Sequence, residues 1–243
     1  MSTSREDHLH HISQQFNSDL SKLRTNFLTM GGMVENQIVK AMEALENHDY
    51  ELAEETRLKD KEVDQLEILI DEEASRIFAK RQPAASDLRL VISVLKMVSD
   101  LERIGDEAKK IAKFVFSDFD ESGNLVSTPR GYVEARYIAK HVTSMVRDAL
   151  DSFSRFDTQM ALRVMKEDKR VDEEYKVAAR SLATVMMEDP RNITSCLSIM
   201  WVLRALERIG DHACNVAEHV IYMVEGQDVR HTPMDKAEKV VRR

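Results

Sequence analysis

The feature that most constrains this chain is an internal repeat. The hexapeptide LERIGD occurs twice, at 101–106 and again at 206–211. The similarity extends well beyond it, because residues 87–115 align without gaps on residues 192–220. Two copies of one unit of about 105 residues predict two structurally similar halves rather than a long repeat array.

Composition indicates that both halves are helical. The chain has only 7 Gly and 4 Pro in 243 residues, too few for the many turns of a β-rich fold. Apolar residues recur at helical spacing, and the pattern breaks at 46–49, 81–87, 117–131, 154–158 and 188–192. This pattern predicts an all-α fold of two tandem, pseudo-symmetric three-helix bundles built from six long antiparallel helices.

The longest break in the helical pattern, 117–131, is the predicted boundary between the bundles. We assign residues 1–120 to the first three-helix bundle and residues 121–243 to the second. The basic stretch 236–243 lies beyond the repeated segments, and we expect it to be solvated.

Charge and cysteine content favour a soluble protein of a reducing compartment. The net charge of −8 argues against a protein that binds the phosphate backbone of nucleic acids. Cys196 and Cys214 fall in one predicted helix, about 27 Å apart, and cannot form a disulfide with each other. No signal-peptide core and no apolar stretch near the ~20 residues of a membrane span is present. We therefore expect a cytoplasmic protein that meets a membrane only through partners.

The third helix of each copy has two distinct faces. One face is apolar over its whole length and is predicted to lie in the core. The opposite face is apolar only in its N-terminal half, which predicts a second packed surface, either between the bundles or in a dimer. Farther along that opposite face come two acids in each copy: Glu102 and Asp106, then Glu207 and Asp211.

The second helix of each copy adds another acidic pair at i,i+4 spacing. DKEVD contains Asp60 and Asp64, and DKRVD contains Asp168 and Asp172. Such like-charge pairs cost a helix about 0.2–0.5 kcal/mol each, and an internal glycine costs about 1 kcal/mol relative to alanine. Because a three-helix hairpin brings the second and third helices side by side, four acids are predicted to cluster in each copy.

Two interpretations of these clusters remain open on the residues alone. Carboxylate oxygens suit Mg, Ca, Mn or Fe, and the repeated glycine would let an ion approach the backbone. In the second copy, His212 and Cys214 would add nitrogen and sulfur ligands, which favour Fe or Zn. The alternative is that His212 faces solvent and that Cys214 fills a small groove. Alternatively, the acids bind no metal and form salt bridges with nearby bases: Lys59, Lys61, Arg103, Lys109 and Arg208.

No catalytic signature accompanies the acids. The sequence contains no P-loop, no dinucleotide-binding fingerprint, no nucleophile–base motif and no Glu-x-x-His. We expect a protein that is not an enzyme. A carboxylate-bridged metal hydrolase or oxidase on a helical bundle and a passive helical adaptor without metal are the alternatives. Trp201 is expected to serve packing.

Two tandem units, each with DKxVD on one helix and LERIGD on the next, resemble the PhoU family from about residue 15 to residue 225. The resemblance implies two symmetry-related three-helix bundles. It also implies binding of metal ions, such as Mg, Mn, Fe or Zn, through E(D)-x-x-x-D motifs. Here these motifs fall on Asp60, Asp64, Glu102, Asp106, Asp168, Asp172, Glu207 and Asp211.

The resemblance further implies a regulatory role in phosphate homeostasis. PhoU-type proteins help to keep the phosphate-starvation response off when phosphate is sufficient. They link the ATPase subunit of the phosphate transporter to the membrane sensor histidine kinase of a two-component system. We expect such a role here, in a homodimer, with metal at the acidic clusters setting surface charge and shape for partner docking.

Overall fold

A computed structural model describes the backbone of residues 3–117 and 131–242, and side chains from Gln14 onward. The described residues form no strand, which confirms the all-α prediction. The predicted boundary between residues 120 and 121 lies outside the described residues. Helices α1 to α7 span Thr3–Asn47, Tyr50–Arg81, Ala85–Phe114, Tyr132–Arg155, Thr158–Glu188, Ile193–Glu225 and Met234–Val241.

The second helix of each half begins after an aspartate that caps its N-terminus. The Asp49 carboxylate accepts a hydrogen bond from the Leu52 backbone N–H at 2.9 Å, and Asp157 accepts one from Met160 at 2.9 Å. Such caps satisfy amide groups that the first helical turn leaves without partners. The duplicated sequence therefore repeats its helix starts as well as its acidic motifs.

Helices α1–α3 and α4–α6 form two three-helix bundles that pack against each other along two antiparallel helix pairs. In the α1–α4 pair, Phe27 and Phe153 meet edge to face with ring centroids 4.6 Å apart, and both are fully buried. In the α3–α6 pair, Arg89 donates a hydrogen bond to the Met223 carbonyl at 3.2 Å. One continuous apolar core runs through both bundles.

The second apolar face of the third helices is buried in part. Val91 of α3 and Cys196 of α6 are both buried, and α3 and α6 pack against each other. Ile193 and Leu197 of the same predicted face remain exposed. Part of the predicted second face is therefore packed. On α6 the buried part of this face is smaller than the apolar pattern suggests.

The prediction of a solvated C-terminal stretch is wrong for its described residues. Helix α7 packs on α5 with Ala237 fully buried, and the Lys166 ammonium lies 2.6 Å from a Glu238 carboxylate oxygen. Gln159 donates a hydrogen bond to the Val241 carbonyl at 3.2 Å. The apolar residues at i,i+4 spacing in this short basic segment suffice for docking because α5 offers a matching surface. None of the described helices is long and apolar enough to cross a membrane.

Candidate metal centres

The first acidic cluster consists of Asp60, Asp64, Glu102 and Asp106, brought together where α2 packs against α3. Asp60 is only 3% exposed, whereas Asp64 is exposed and both α3 acids are half-buried. Partial burial raises the pKa of Asp64, and the neighbouring Asp60 carboxylate raises it further. Burial and then Asp106 raise the pKa of Glu102 in the same way. The four predicted residues therefore interact electrostatically.

A lysine supplies the counter-charge of this first cluster. The Lys109 ammonium makes a short contact with a buried Asp60 oxygen and lies 3.6 Å from an Asp106 oxygen. The hydrogen bond to Asp60 is the main cause of the raised pKa of Lys109. Arg103 lies 3.4 Å from Glu102 at the exposed rim. The salt-bridge interpretation describes this cluster well.

The second acidic cluster consists of Asp168, Asp172, Glu207 and Asp211, where α5 packs against α6. One carboxylate oxygen from each of Asp172, Glu207 and Asp211 lies within 4.8 Å of the other two. Burial raises the pKa of Asp168 to about 7, and the Asp211 and Asp172 charges contribute. Burial also raises the pKa values of Glu207 and Asp211. These acids repel one another strongly when ionised.

Among the residues that the structure describes, no lysine lies inside the second cluster as Lys109 does in the first. Cys214 stands in α6 where Lys109 stands in α3, three residues after the aspartate of LERIGD. At the rim of the cluster, Arg204 forms a salt bridge with one Glu207 oxygen, with an N–O distance of 2.5 Å. The other Glu207 oxygen is buried and has no hydrogen-bond partner among the described residues. A buried carboxylate oxygen without a partner is costly unless a ligand satisfies it.

A divalent cation therefore fits the second cluster and not the first. Three converging carboxylates with one unpartnered oxygen offer the oxygen donors that hard cations prefer. In the first cluster the Lys109 ammonium already contacts the buried Asp60, and two like cations would repel each other there.

The environments of His212 and Cys214 beside the second cluster differ from those expected from the sequence. His212 is not solvent-facing, because its Nδ1 lies 2.9 Å from an Asp100 oxygen of α3 and the ring is half-buried. Burial and the Asp168 charge raise the pKa of the Cys214 thiol, which keeps it protonated in the metal-free protein. Cys214 lines a cleft of about 480 Å³ together with Asp168, Asp211, Glu218 and His231.

Both repeated glycines lie at helix crossings rather than at an open approach to the backbone. A Cβ on Gly105 would lie 3.1 Å from the buried Gln37 oxygen and 3.4 Å from Asp60. A Cβ on Gly210 would meet Val142 and Val171 at 3.6 and 3.5 Å, an ordinary packing distance. Close helix packing therefore explains Gly105, whereas the space at Gly210 would admit a Cβ.

Sequence reasoning missed two acids that belong to these surroundings. Glu67 lies one turn beyond Asp64 on α2, and its pKa is raised by burial and by Asp71 and Asp64. Glu218 lines the cleft of the second cluster, and burial raises its pKa. The i,i+3 spacing from Asp64 was a signal for Glu67, whereas Glu218 has no counterpart, because the first copy has Lys113 there.

Comparison with known proteins places both halves in one family. The family model for the PhoU domain matches residues 27–115 and again 136–220. The phosphate-specific transport system accessory protein PhoU homolog of Pseudomonas putida is 56% identical over 227 residues, covering 93% of this chain and 87% of that protein. The phosphate-specific transport system accessory protein PhoU of Escherichia coli K12 is 44% identical over 231 residues, covering 95% and 94%.

Solved structures agree with this assignment. The crystal structure of PhoU from Pseudomonas aeruginosa superposes with a TM-score of 0.83 at 54% identity, covering 87% of this chain and all of that one. The phosphate transport system regulatory protein PhoU from Streptococcus pneumoniae superposes with a TM-score of 0.79 at 29% identity, covering 88% and 99%. The paired three-helix bundles are thus shared with these proteins.

Proposed function

The chain belongs to the PhoU family of phosphate-specific transport accessory proteins, and from this premise we propose that it is a negative regulator of the phosphate-starvation response. It acts in the cytoplasm as a homodimer that couples the ATPase subunit of the phosphate transporter to the sensor histidine kinase. Its role is that of a docking scaffold, and we assign it no reaction. Family membership and the names of its relatives support this proposal.

We further propose that the second acidic cluster holds a divalent or multivalent metal ion that prepares the docking surface. Asp172, Glu207 and Asp211 would hold the ion, with Asp168 at its edge. The single observation that carries this assignment is the buried, unpartnered Glu207 oxygen, close to oxygens of the two aspartates. A bound cation supplies positive charge that lets these carboxylates ionise together, and it thereby changes the charge of this face.

The test compares two matched double variants in a strain that lacks the native gene. Asp172→Asn with Asp211→Asn alters the second cluster, and Asp64→Asn with Asp106→Asn alters equivalent positions in the first. Elemental analysis of protein purified without chelator gives metal content, and a phosphate-starvation reporter gives regulation. Only the second-cluster variant should lose metal and derepress the reporter at high phosphate.

Three outcomes would overturn parts of this proposal. Equal metal content in both variants would remove the second cluster as the metal site. Normal repression by a metal-free variant would separate metal from regulation and leave a helical adaptor. Metal-dependent turnover of a phosphate ester or of oxygen by the purified protein would replace the scaffold with an enzyme.

A further inference from the structure

A cavity between α3 and α6 adjoins the second acidic cluster and shares Arg208 with its cleft. It has a volume of about 330 Å³, which is within the range of small-molecule sites. We call it the Trp201 cavity. Its lining includes four bases and two aromatic rings: Lys110, Lys113, Arg204, Arg208, Phe114 and Trp201.

The Trp201 cavity has more basic side chains than there are carboxylates paired with them. Glu107, 3% exposed, is the one acid of the lining, and it pairs with Lys110 at 2.9 Å and with Arg208 at 3.2 Å. Arg204 pairs with Glu207 outside the cavity, while Lys113 makes no ion pair with any described residue. Four cations facing two carboxylates leave a local positive charge in a chain whose net charge is −8. Such a site attracts anions.

Trp201 gives this cavity an aromatic wall. The expectation that Trp201 serves packing is wrong, because the residue is 63% exposed. An exposed indole beside guanidinium groups is a surface on which a planar ring can stack. Arginine and lysine side chains bind phosphate through charge-assisted hydrogen bonds, so the lining offers both halves of a nucleotide site.

The duplication itself shows that this charge is specific to one of two equivalent regions of the α3–α6 pair. Lys110 and Lys113 of α3 correspond to Asn215 and Glu218 of α6, which line the acidic cleft. The two copies therefore share helices and core but present opposite charge at the two cavities. The basic cavity and the acidic cleft share Arg208 in their linings, but their opposite charges call for different ligands.

We propose that the Trp201 cavity binds a nucleotide, with phosphate oxygens at Lys113, Arg204 and Arg208 and the base stacked on Trp201. The inference goes beyond the regulatory role, and it needs no metal in the second cluster. It requires a ligand that carries both phosphate and an aromatic ring, because neither part alone uses both halves of the lining.

Trp201 is the only tryptophan in the chain, so its fluorescence reports on this cavity alone. The full-length protein is titrated with ADP, adenosine and inorganic phosphate in buffer with chelator, which separates the result from metal binding. ADP should change the fluorescence saturably. Adenosine and inorganic phosphate should each bind at least about tenfold more weakly, because each loses one set of contacts.

The key variant is Lys113→Glu, because Lys113 has no ion-pair partner whose loss would disturb the fold. It should weaken ADP binding about tenfold or more. The matched control is Lys80→Glu, an exposed lysine in the last turn of α2, which should leave affinity within about twofold. Trp201→Ala, followed by calorimetry, should weaken ADP binding as well.

Several results would overturn the proposal. These are no saturable response to ADP, equal binding of adenosine, or equal affinity in the Lys113→Glu and Lys80→Glu variants. Equal binding of inorganic phosphate and ADP would also overturn it, since the base would then contribute nothing. Circular dichroism of each variant confirms that the fold is intact before any of these comparisons is made.

Discussion

At the scale of single residues, one position separates the two acidic clusters. The Lys109 ammonium contacts the buried Asp60, whereas the equivalent residue of the second copy is Cys214, whose side chain carries no positive charge. Internal neutralisation stabilises the first cluster without a ligand. The second cluster keeps its repulsion, and a cation from solution would relieve it.

Exchanging the residue at this position should move the metal site. Lys109→Leu, which adds no ligand, should increase metal bound per protein, and Cys214→Lys should decrease it. Without metal, Lys109→Leu should lower the unfolding free energy by about 1–3 kcal/mol, because buried Asp60 loses its partner. Elemental analysis and denaturant unfolding give the two quantities.

The control for this exchange is Lys110→Leu, the same substitution one residue away, since Lys110 pairs with Glu107 and not with the cluster. It should leave metal content unchanged. A Lys109→Leu protein with unaltered metal content would contradict the idea that the ammonium occupies the place of the ion.

A second single residue makes stability depend on pH. His219 is 6% exposed, and burial lowers its pKa to about 4, with the charges of Arg230 and Lys96 acting in the same direction against Asp100. The unfolded chain takes up this proton near pH 6.5, before the folded chain does. The contribution of His219 to the unfolding free energy therefore falls by about 3 kcal/mol as pH drops from about 6.5 to about 4.

The replacement His219→Gln tests this dependence. The variant should lose less stability than the parent between pH 6.5 and pH 4, while above pH 7 the two should differ by a constant offset. Denaturant unfolding at pH 4.5, 5.5, 6.5 and 7.5 measures the curves. Parallel curves over the whole range would show that His219 is not the group responsible.

At the scale of helices, close packing depends on small residues at crossings. Gly31 is buried in α1 where it meets α4, and a Cβ there would lie 2.3 Å from Leu150 Cδ2 and 3.1 Å from its Cγ. The adjacent Gly32 is exposed and has nothing within 4 Å of such a Cβ. Of these two neighbouring glycines, only Gly31 leaves no room for a side chain.

Alanine at these two glycines should have opposite effects. Gly31→Ala should destabilise the protein by about 1–2 kcal/mol, because the whole Leu150 side chain must move. Gly32→Ala should stabilise it by up to about 1 kcal/mol through helix propensity. Thermal unfolding of both variants measures the difference. A gain in stability for both would mean that the α1–α4 contact adapts freely.

At the scale of the whole molecule, the two bundles share one apolar core and are joined along α1–α4 and α3–α6. A separated half would expose the buried aromatic Phe27 or Phe153 and the second face of its third helix. Exposed apolar area of this kind costs stability and promotes association.

Separate expression of the halves tests this dependence. A fragment of residues 1–117 should be partly unfolded or self-associated, and a fragment of residues 131–243 should behave alike. Mixed together, they should recover a stable complex of one copy each. Circular dichroism and size-exclusion chromatography measure both states. A monomeric, cooperatively unfolding 1–117 fragment would establish the bundles as independent domains.

The sequence by itself determined the local structure of this protein. Apolar periodicity, its breaks and the duplicated segments predicted the long helices and their ends, because helix formation depends on residues within a few turns. The same periodicity placed each pair of acids on one helix face, and the hairpin connection then implied two clusters. These inferences needed no knowledge of distant contacts.

Only the tertiary structure decided what each cluster and surface became. The pairing of Lys109 with Asp60, the unpartnered Glu207 oxygen, the exposure of Trp201 and the docking of α7 all depend on segments far apart in the chain. Packing and desolvation set these outcomes, and both depend on which surfaces face each other. Two nearly identical motifs therefore acquired different electrostatic environments.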